Sequence, residues 1–254
     1  MASLSERVGT DAEHSGDRQK ISTLWKYSPS SYQNEMIVEL PYTHYISPTV
    51  SPSGYATVVT LNQYKINSIY DPDLTGAGTQ PLGRDTWSAI YNYYKVLESD
   101  VKYEVIDMTY RTPAVAPADA NQPSLLGWMA DITATPPTGP DQWFNTAQGP
   151  NHNKQQIFSE VDIVDPIAGR PQKRHRGHYH WNSEDFDTSI IDTAGKNTWT
   201  AVGSDPANLN YFSVLCCNPE QIAGGNSRRF ALRVTIKYLV AFKQINRALL
   251  HTIN

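Results

Sequence analysis

Residues 230–243 read FALRVTIKYLVAFK. Phe230, Leu232, Val234, Ile236, Tyr238, Val240 and Phe242 alternate with Ala231, Arg233, Thr235, Lys237, Leu239, Ala241 and Lys243. A period of two held over that length predicts a long strand with one buried face and one polar face. Further strand-like runs are Tyr55–Ile66, Val101–Tyr110, Leu125–Ile132, Ile157–Val164, Arg174–Trp181 and Tyr211–Cys217, and order begins near Met36-Ile37-Val38. Val101–Tyr110 alternates but slips phase near Val105 and Ile106, which predicts a bulge there.

Between these runs lie Pro-, Gly- and Asn-rich stretches, among them Thr112–Ser124, Thr133–Trp143 and Thr146–Asn153. Loops of that length are usually functional or displayed at a surface. Asp85 is placed to cap a short helix, with Trp87, Ile90, Tyr91 and Tyr94 following at helical spacing. The composition agrees: 15 Tyr, 17 Pro and only 18 % charged residues, against about 25 % in an average chain. The expected fold is all-β, a jelly roll of two packed antiparallel sheets with one short helix and long loops. Residues 1–30 are small, polar and mixed in charge, and are expected to form a flexible arm. Residues 31–254 are expected to form one domain, because no linker-like shift divides them.

The formal net charge is −4, so the whole-chain charge does not suggest nucleic-acid binding. Cys216 and Cys217 are adjacent and cannot easily close an unstrained disulfide, so no disulfide framework is expected. The N-terminal segment lacks the apolar core of a secretory signal. No run of about 18 apolar residues is present to span a membrane as a helix.

The stretch GHYHWNSE, residues 177–184, raises the possibility of a metal site. As a strand, Arg174–Trp181 puts Arg174, Arg176, His178 and His180 on one face. Glu184 follows within a turn. This His-x-His and Glu pattern resembles the first metal-binding motif of the cupins, which are also jelly rolls, and implies a metal-dependent enzyme as the alternative function. Against it stand the neighbouring cations, which favour an anion over a metal. The later His251 lies in the C-terminal tail rather than on a further strand. No metal and no cofactor is expected. Asp71-Pro72-Asp73 reads as a turn held by Asp side chains rather than a calcium site. Gly76-Ala77-Gly78 lacks the Lys-Ser/Thr of a phosphate loop. The two cysteines read as small buried residues.

The segment Asn67–Val105 carries Asn67, Tyr70-Asp71-Pro72, Gly76 and Gly78, Gln80-Pro81, Tyr91 and Tyr94, then Val96 and Ser99. In that order these residues resemble the capsid proteins of small circular single-stranded DNA viruses that encode a replication initiator, the CRESS-DNA group. Ala207–Val214 and Arg233–Phe242 look like the last two strands of such proteins. The close resemblance covers roughly a third of the chain. It implies a viral jelly roll without catalytic activity, self-assembling into a small icosahedral (T=1) shell of about sixty copies around single-stranded DNA. It also implies a virion location, with assembly in the host cell, expectedly its nucleus; the host receptor is unknown, and no membrane partner is expected. Exposed aromatic residues on a solitary jelly roll would instead suit carbohydrate binding.

Capsid proteins of this group usually begin with an Arg-rich arm. Here Arg7, Arg18, Lys20 and Lys26 are offset by Glu6, Asp11, Glu13 and Asp17, so any DNA binding through the arm is expected to be weak. The candidate nucleic-acid contacts are therefore Arg233, Lys237 and Lys243 on the polar face of the last strand, and secondly Lys173, Arg174 and Arg176. A solvated charged face is the plainer reading of both sets.

Overall fold

The computed structural model describes residues 34–50, 57–108, 124–132, 134–139, 142–143, 161–164, 174–183, 199–217 and 228–246. The expected arm and Lys173, Glu184 and His251 lie outside them, as do the loops Thr146–Asn153 and most of Thr112–Ser124. In chain order the elements are β1 (Glu35–Ile46), β2 (Thr49–Val50), β3 (Val58–Lys65), α1 (Arg84–Ile90), β4 (Tyr91–Asp107), β5 (Ser124–Asp131), β6 (Val161–Val164), β7 (Arg174–Asn182), β8 (Thr200–Ala201), β9 (Tyr211–Cys217) and β10 (Arg228–Ile245).

One sheet has the order β1-β10-β4-β7, with β2 beside β10 and β8 beside β4; the other has the order β3-β9-β5-β6. All the pairings are antiparallel. Leaving aside the two-residue strands β2 and β8, the first strand pairs with the last, the second with the second-last, the third with the sixth and the fourth with the fifth. The chain is thus a long antiparallel ribbon, folded at β5–β6 and rolled so that β10 meets β4 and β9 meets β5. That nested order is a jelly roll, as the strand pattern predicted.

β10 lies in the middle of its sheet, and its alternation does what the sequence required. Leu232, Val234, Ile236, Tyr238, Val240 and Phe242 face inward and are fully buried. Each such side chain contributes about 1.5–3 kcal/mol when removed from water. They meet Trp128, Phe212, Val214 and Cys216 from the opposing sheet. β9 is buried on both faces. Its second face, with Leu215 and Cys217, packs with Val58, Met129 and Trp143. The residues after β5 are tied along that face by the Val58 amide donating to the Thr138 carbonyl at 2.9 Å.

Two expectations are corrected. Tyr91 and Tyr94 belong to β4, not to the helix, and the N-cap is Gly83 (φ 82°), with Asp85 in the first turn. Tyr91 pairs with Ile245, and the Asn246 amide donates to the Ile90 carbonyl at 2.8 Å. Strand pairing with β10 thus overrides the helical spacing. The bulge in β4 lies at Leu97, where Val96 and Glu98 face consecutive residues Val240 and Leu239 of β10. Through Val105 and Ile106 the register is unbroken. Ile106 is a partly covered apolar residue on the outward face, and its hydrophobicity imitated a phase slip.

Candidate nucleic-acid interface

The outward face of the β1-β10-β4-β7 sheet carries almost every candidate residue. It displays Glu35 and Glu39 from β1, and Arg233, Lys237 and Lys243 from β10. β4 adds Lys95, Glu98, Asp100, Lys102 and Glu104, and β7 adds Arg176, His178 and His180. Arg174 is on the same strand face as Arg176, but its side chain is outside the described residues.

Among the described side chains, the candidate cations Arg233, Lys237, Lys243 and Arg176 are ion-paired. Glu104 stands directly opposite Arg233 on one side and Arg176 on the other. Arg233 Nη2 reaches its Oε2 at 2.8 Å, and Arg176 Nη2 reaches its Oε1 at 2.9 Å. One carboxylate thus ties three strands together. Lys237 pairs with Glu39 and Lys243 with Glu35, each at 3.0 Å. Exposed pairs of this kind fix register more than they stabilise; each is worth about 0–1 kcal/mol. The described side chains on this face comprise seven Lys or Arg, Arg229 included, and five Asp or Glu, so its field is close to balanced with a small positive excess. A phosphate arriving here competes with carboxylates already in place. The sequence named the cations and missed their partners. The phase of β4 does place Asp100 and Glu104 outward, but which cations they face is set by the register between distant strands.

His178 and His180 share that outward face, as their spacing predicted. Both turn toward Asp100 of β4: His180 Nδ1 lies 2.8 Å and His178 Nε2 3.4 Å from the same Oδ1. Burial acts to raise the Asp100 pKa, but the His180 hydrogen bond and the two imidazoles outweigh it and hold the carboxyl below its ordinary value. Among the described residues no group of three or more His, Cys, Asp or Glu side chains is arranged to hold a metal ion. The histidine-rich strand supplies the cross-strand partners of Asp100.

The inward side of β7 shows a different use of the same stretch. His175 Nε2 is 2.6 Å from the Tyr103 hydroxyl, in the core. Gly177 sits directly opposite Tyr103, and the Tyr103 ring crosses the space where a Cβ would stand. The glycine in GHYHWNSE is therefore a packing requirement.

The segment Asn67–Gln80 is a polar clamp between two connections. Asn67 is buried; its Nδ2 donates to the Asn208 carbonyl at 2.7 Å, and its Oδ1 accepts from the Asn210 amide at 2.9 Å. Ser68 Oγ donates to Asp205 Oδ1 at 2.7 Å, and Lys65 Nζ meets Asp205 Oδ2 at 2.7 Å. The Tyr94 hydroxyl donates to the Ser204 carbonyl at 3.0 Å. Ser99 Oγ donates to the Ile66 carbonyl. Within the turn, Asp71 adopts φ 47° and is held by hydrogen bonds with the Gln80 amide. Asp73 accepts from Asn62 at 3.1 Å and from the Thr75 hydroxyl at 2.6 Å. This is the Asp-stabilised turn the sequence suggested. Gly78 passes close under Tyr42 and Asp73, where a Cβ would collide with both.

The cysteines are buried and not disulfide-bonded. Burial pushes the Cys217 thiol up to about 11, which disfavours the thiolate a nucleophile needs.

No family model matches the chain, and no curated protein matches it in sequence. Among solved structures, one chain similar to it comes from the semi-empty virus-like particle of the nodavirus of the giant freshwater prawn Macrobrachium rosenbergii, at 13 % identity and a TM-score of 0.41, covering 86 % of this chain and 98 % of that one. Another comes from Mud crab tombus-like virus, at 10 % identity and a TM-score of 0.41, covering 89 % and 90 %. A third is the Penaeus vannamei nodavirus capsid protein deletion mutant in a T=1 subviral particle, at 12 % identity and a TM-score of 0.37, covering 83 % and 98 %.

Proposed function

We propose that this chain is a structural viral coat protein, of the CRESS-DNA type, whose copies close into a small icosahedral shell around single-stranded DNA. The observation that carries this reading is the agreement of motif and topology. The residues from Asn67 to Ser99 that resemble such capsid proteins include those that clamp the loops at one end of an eight-stranded nested roll. Their roles are structural, and the reading includes no catalytic step. About sixty copies form the simplest closed shell. The virion is the site of action, with assembly in the nucleus.

The test is negative-stain electron microscopy of the purified protein across salt and pH, with nuclease digestion of whatever is enclosed. Uniform closed particles protecting DNA are expected. Monomers or dimers under every condition would overturn the shell, and protected RNA would overturn the DNA assignment while leaving the shell. A stoichiometric metal lost in His178→Ala would support the enzyme reading instead.

The nucleic-acid contacts are assigned first to Arg233, Lys237 and Lys243 and secondly to Arg174 and Arg176, all on strand positions of the outward face of the β1-β10-β4-β7 sheet, together with Lys173, which lies outside the described residues. The near balance of charge on that face suits a modest, salt-sensitive affinity. Arg233→Gln together with Lys237→Gln is expected to lower the nucleic acid that co-purifies with the particles; an unchanged amount would rule this face out.

A further inference from the structure

At the end of this face where β4 begins, two aromatic rings interrupt the charged pattern. Tyr93 points outward from β4 and is 39 % exposed; Trp199, immediately before β8, is 37 % exposed. They are brought together by pairing: Tyr93 lies opposite Ala201 of β8 on one side and Lys243 of β10 on the other. Continuing that register by one step sets Trp199 beside Lys95. The Lys243 ammonium sits 5.2 Å from the centroid of the Trp199 ring and 3.0 Å from Glu35. No carboxylate among the described residues is ion-paired with Lys95.

We propose that Trp199, Tyr93, Lys95 and Lys243 form a stacking platform for single-stranded nucleic acid. The platform deepens the coat-protein reading and rests on it. Apolar rings on a polar face are poorly solvated and gain from being covered. Single-stranded nucleic acid offers flat base surfaces for the rings and phosphates for the lysines, which is the combination present here. The small Ala201 beside Tyr93 leaves space for an approaching base. Lys243, already held between a ring and a carboxylate, exchanges Glu35 for a phosphate without moving far. A second copy of this chain would cover the rings as well, and the assembly readout separates that case. A neutral glycan would stack on the rings without using either lysine.

The experiment is fluorescence anisotropy of a labelled oligothymidylate with the full-length protein over a range of salt, with particle formation followed by electron microscopy. Trp199→Ala is expected to weaken binding about tenfold at every salt concentration, Trp199→Phe to retain most of it, and both to form particles. Lys95→Gln with Lys243→Gln is expected to flatten the log–log salt slope by about 1.4, because two phosphates of a single strand are then no longer neutralised. Wild-type binding by Trp199→Ala would overturn the platform. So would a Trp199→Ala variant that binds normally but no longer assembles, because the patch would then be a subunit contact. Particles that form but bind no oligonucleotide would overturn the platform and leave the coat-protein reading standing. Absence of particles with intact binding would do the reverse.

Discussion

A methyl group added at Gly177 collides with the hydroxyl end of the Tyr103 ring, and that hydroxyl is fixed by its hydrogen bond with His175. Gly177→Ala is therefore expected to destabilise the protein by about 1–3 kcal/mol through overpacking, lowering the melting temperature by several degrees. Combining it with Tyr103→Ala is expected to cost less than the sum of the two, because the clash is then gone; additivity in thermal unfolding would refute the contact. On the other side of the strand, Asp100 has a folded-state pKa below its ordinary value. Its stabilising effect is therefore present above the unfolded pKa of about 3.9 and is lost as pH falls through the folded value. Asp100→Asn is expected to lose less stability than the wild type on acidification below about pH 4, and acid titrations followed by circular dichroism would show it. The alternation in GHYHWNSE predicted which histidines share a face. It did not predict that Asp100 rather than Glu184 meets them, because that partner comes from a strand about eighty residues away in sequence.

At the scale of the element, the clamp between the β3–α1 and β8–β9 connections depends on one buried amide. Asn67 uses its donor on one backbone carbonyl and its acceptor on a backbone amide. Asn67→Asp turns the donor side into an oxygen facing the Asn208 carbonyl and buries a charge. It is expected to cost about 2–4 kcal/mol, with a lower urea midpoint and earlier hydrogen exchange in both connections. A fully retained midpoint would show that the clamp is dispensable. Sequence spacing described these elements unevenly. β9 matched its predicted run end to end, since its residues other than Ser213 are apolar. β4 was expected to begin at Val101 and begins at Tyr91. The Tyr-x-x-Tyr spacing suits a helix and a strand with a bulge equally well, and the pairing with β10 decides between them.

For the molecule as a whole, the jelly-roll class was legible because period-two runs, turn-rich connections and the scarcity of helical segments all pointed to one architecture. Which strands share a sheet was not legible, because the local pattern of a strand says nothing about its neighbour. The balance of the outward face was hidden for the same reason: Arg233 and Arg176, nearly sixty residues apart in sequence, were read as two basic clusters, and the register brings both to Glu104. Breaking that three-strand tie with Glu104→Gln is expected to steepen the salt dependence of nucleic-acid binding, since two arginines then face the solvent without their carboxylate. An oligonucleotide titration in which the variant matches the wild type would show that the tie does not limit access.

The position of β10 has a consequence for manufacture. It follows β1 and β4 in the chain, yet it stands between them and bonds to both along most of its length. A chain that stops before Phe230 has the flanks of this sheet but no centre. Such a fragment lacks the inward row from Leu232 to Phe242 that fills the core, so a prematurely terminated chain cannot complete the roll.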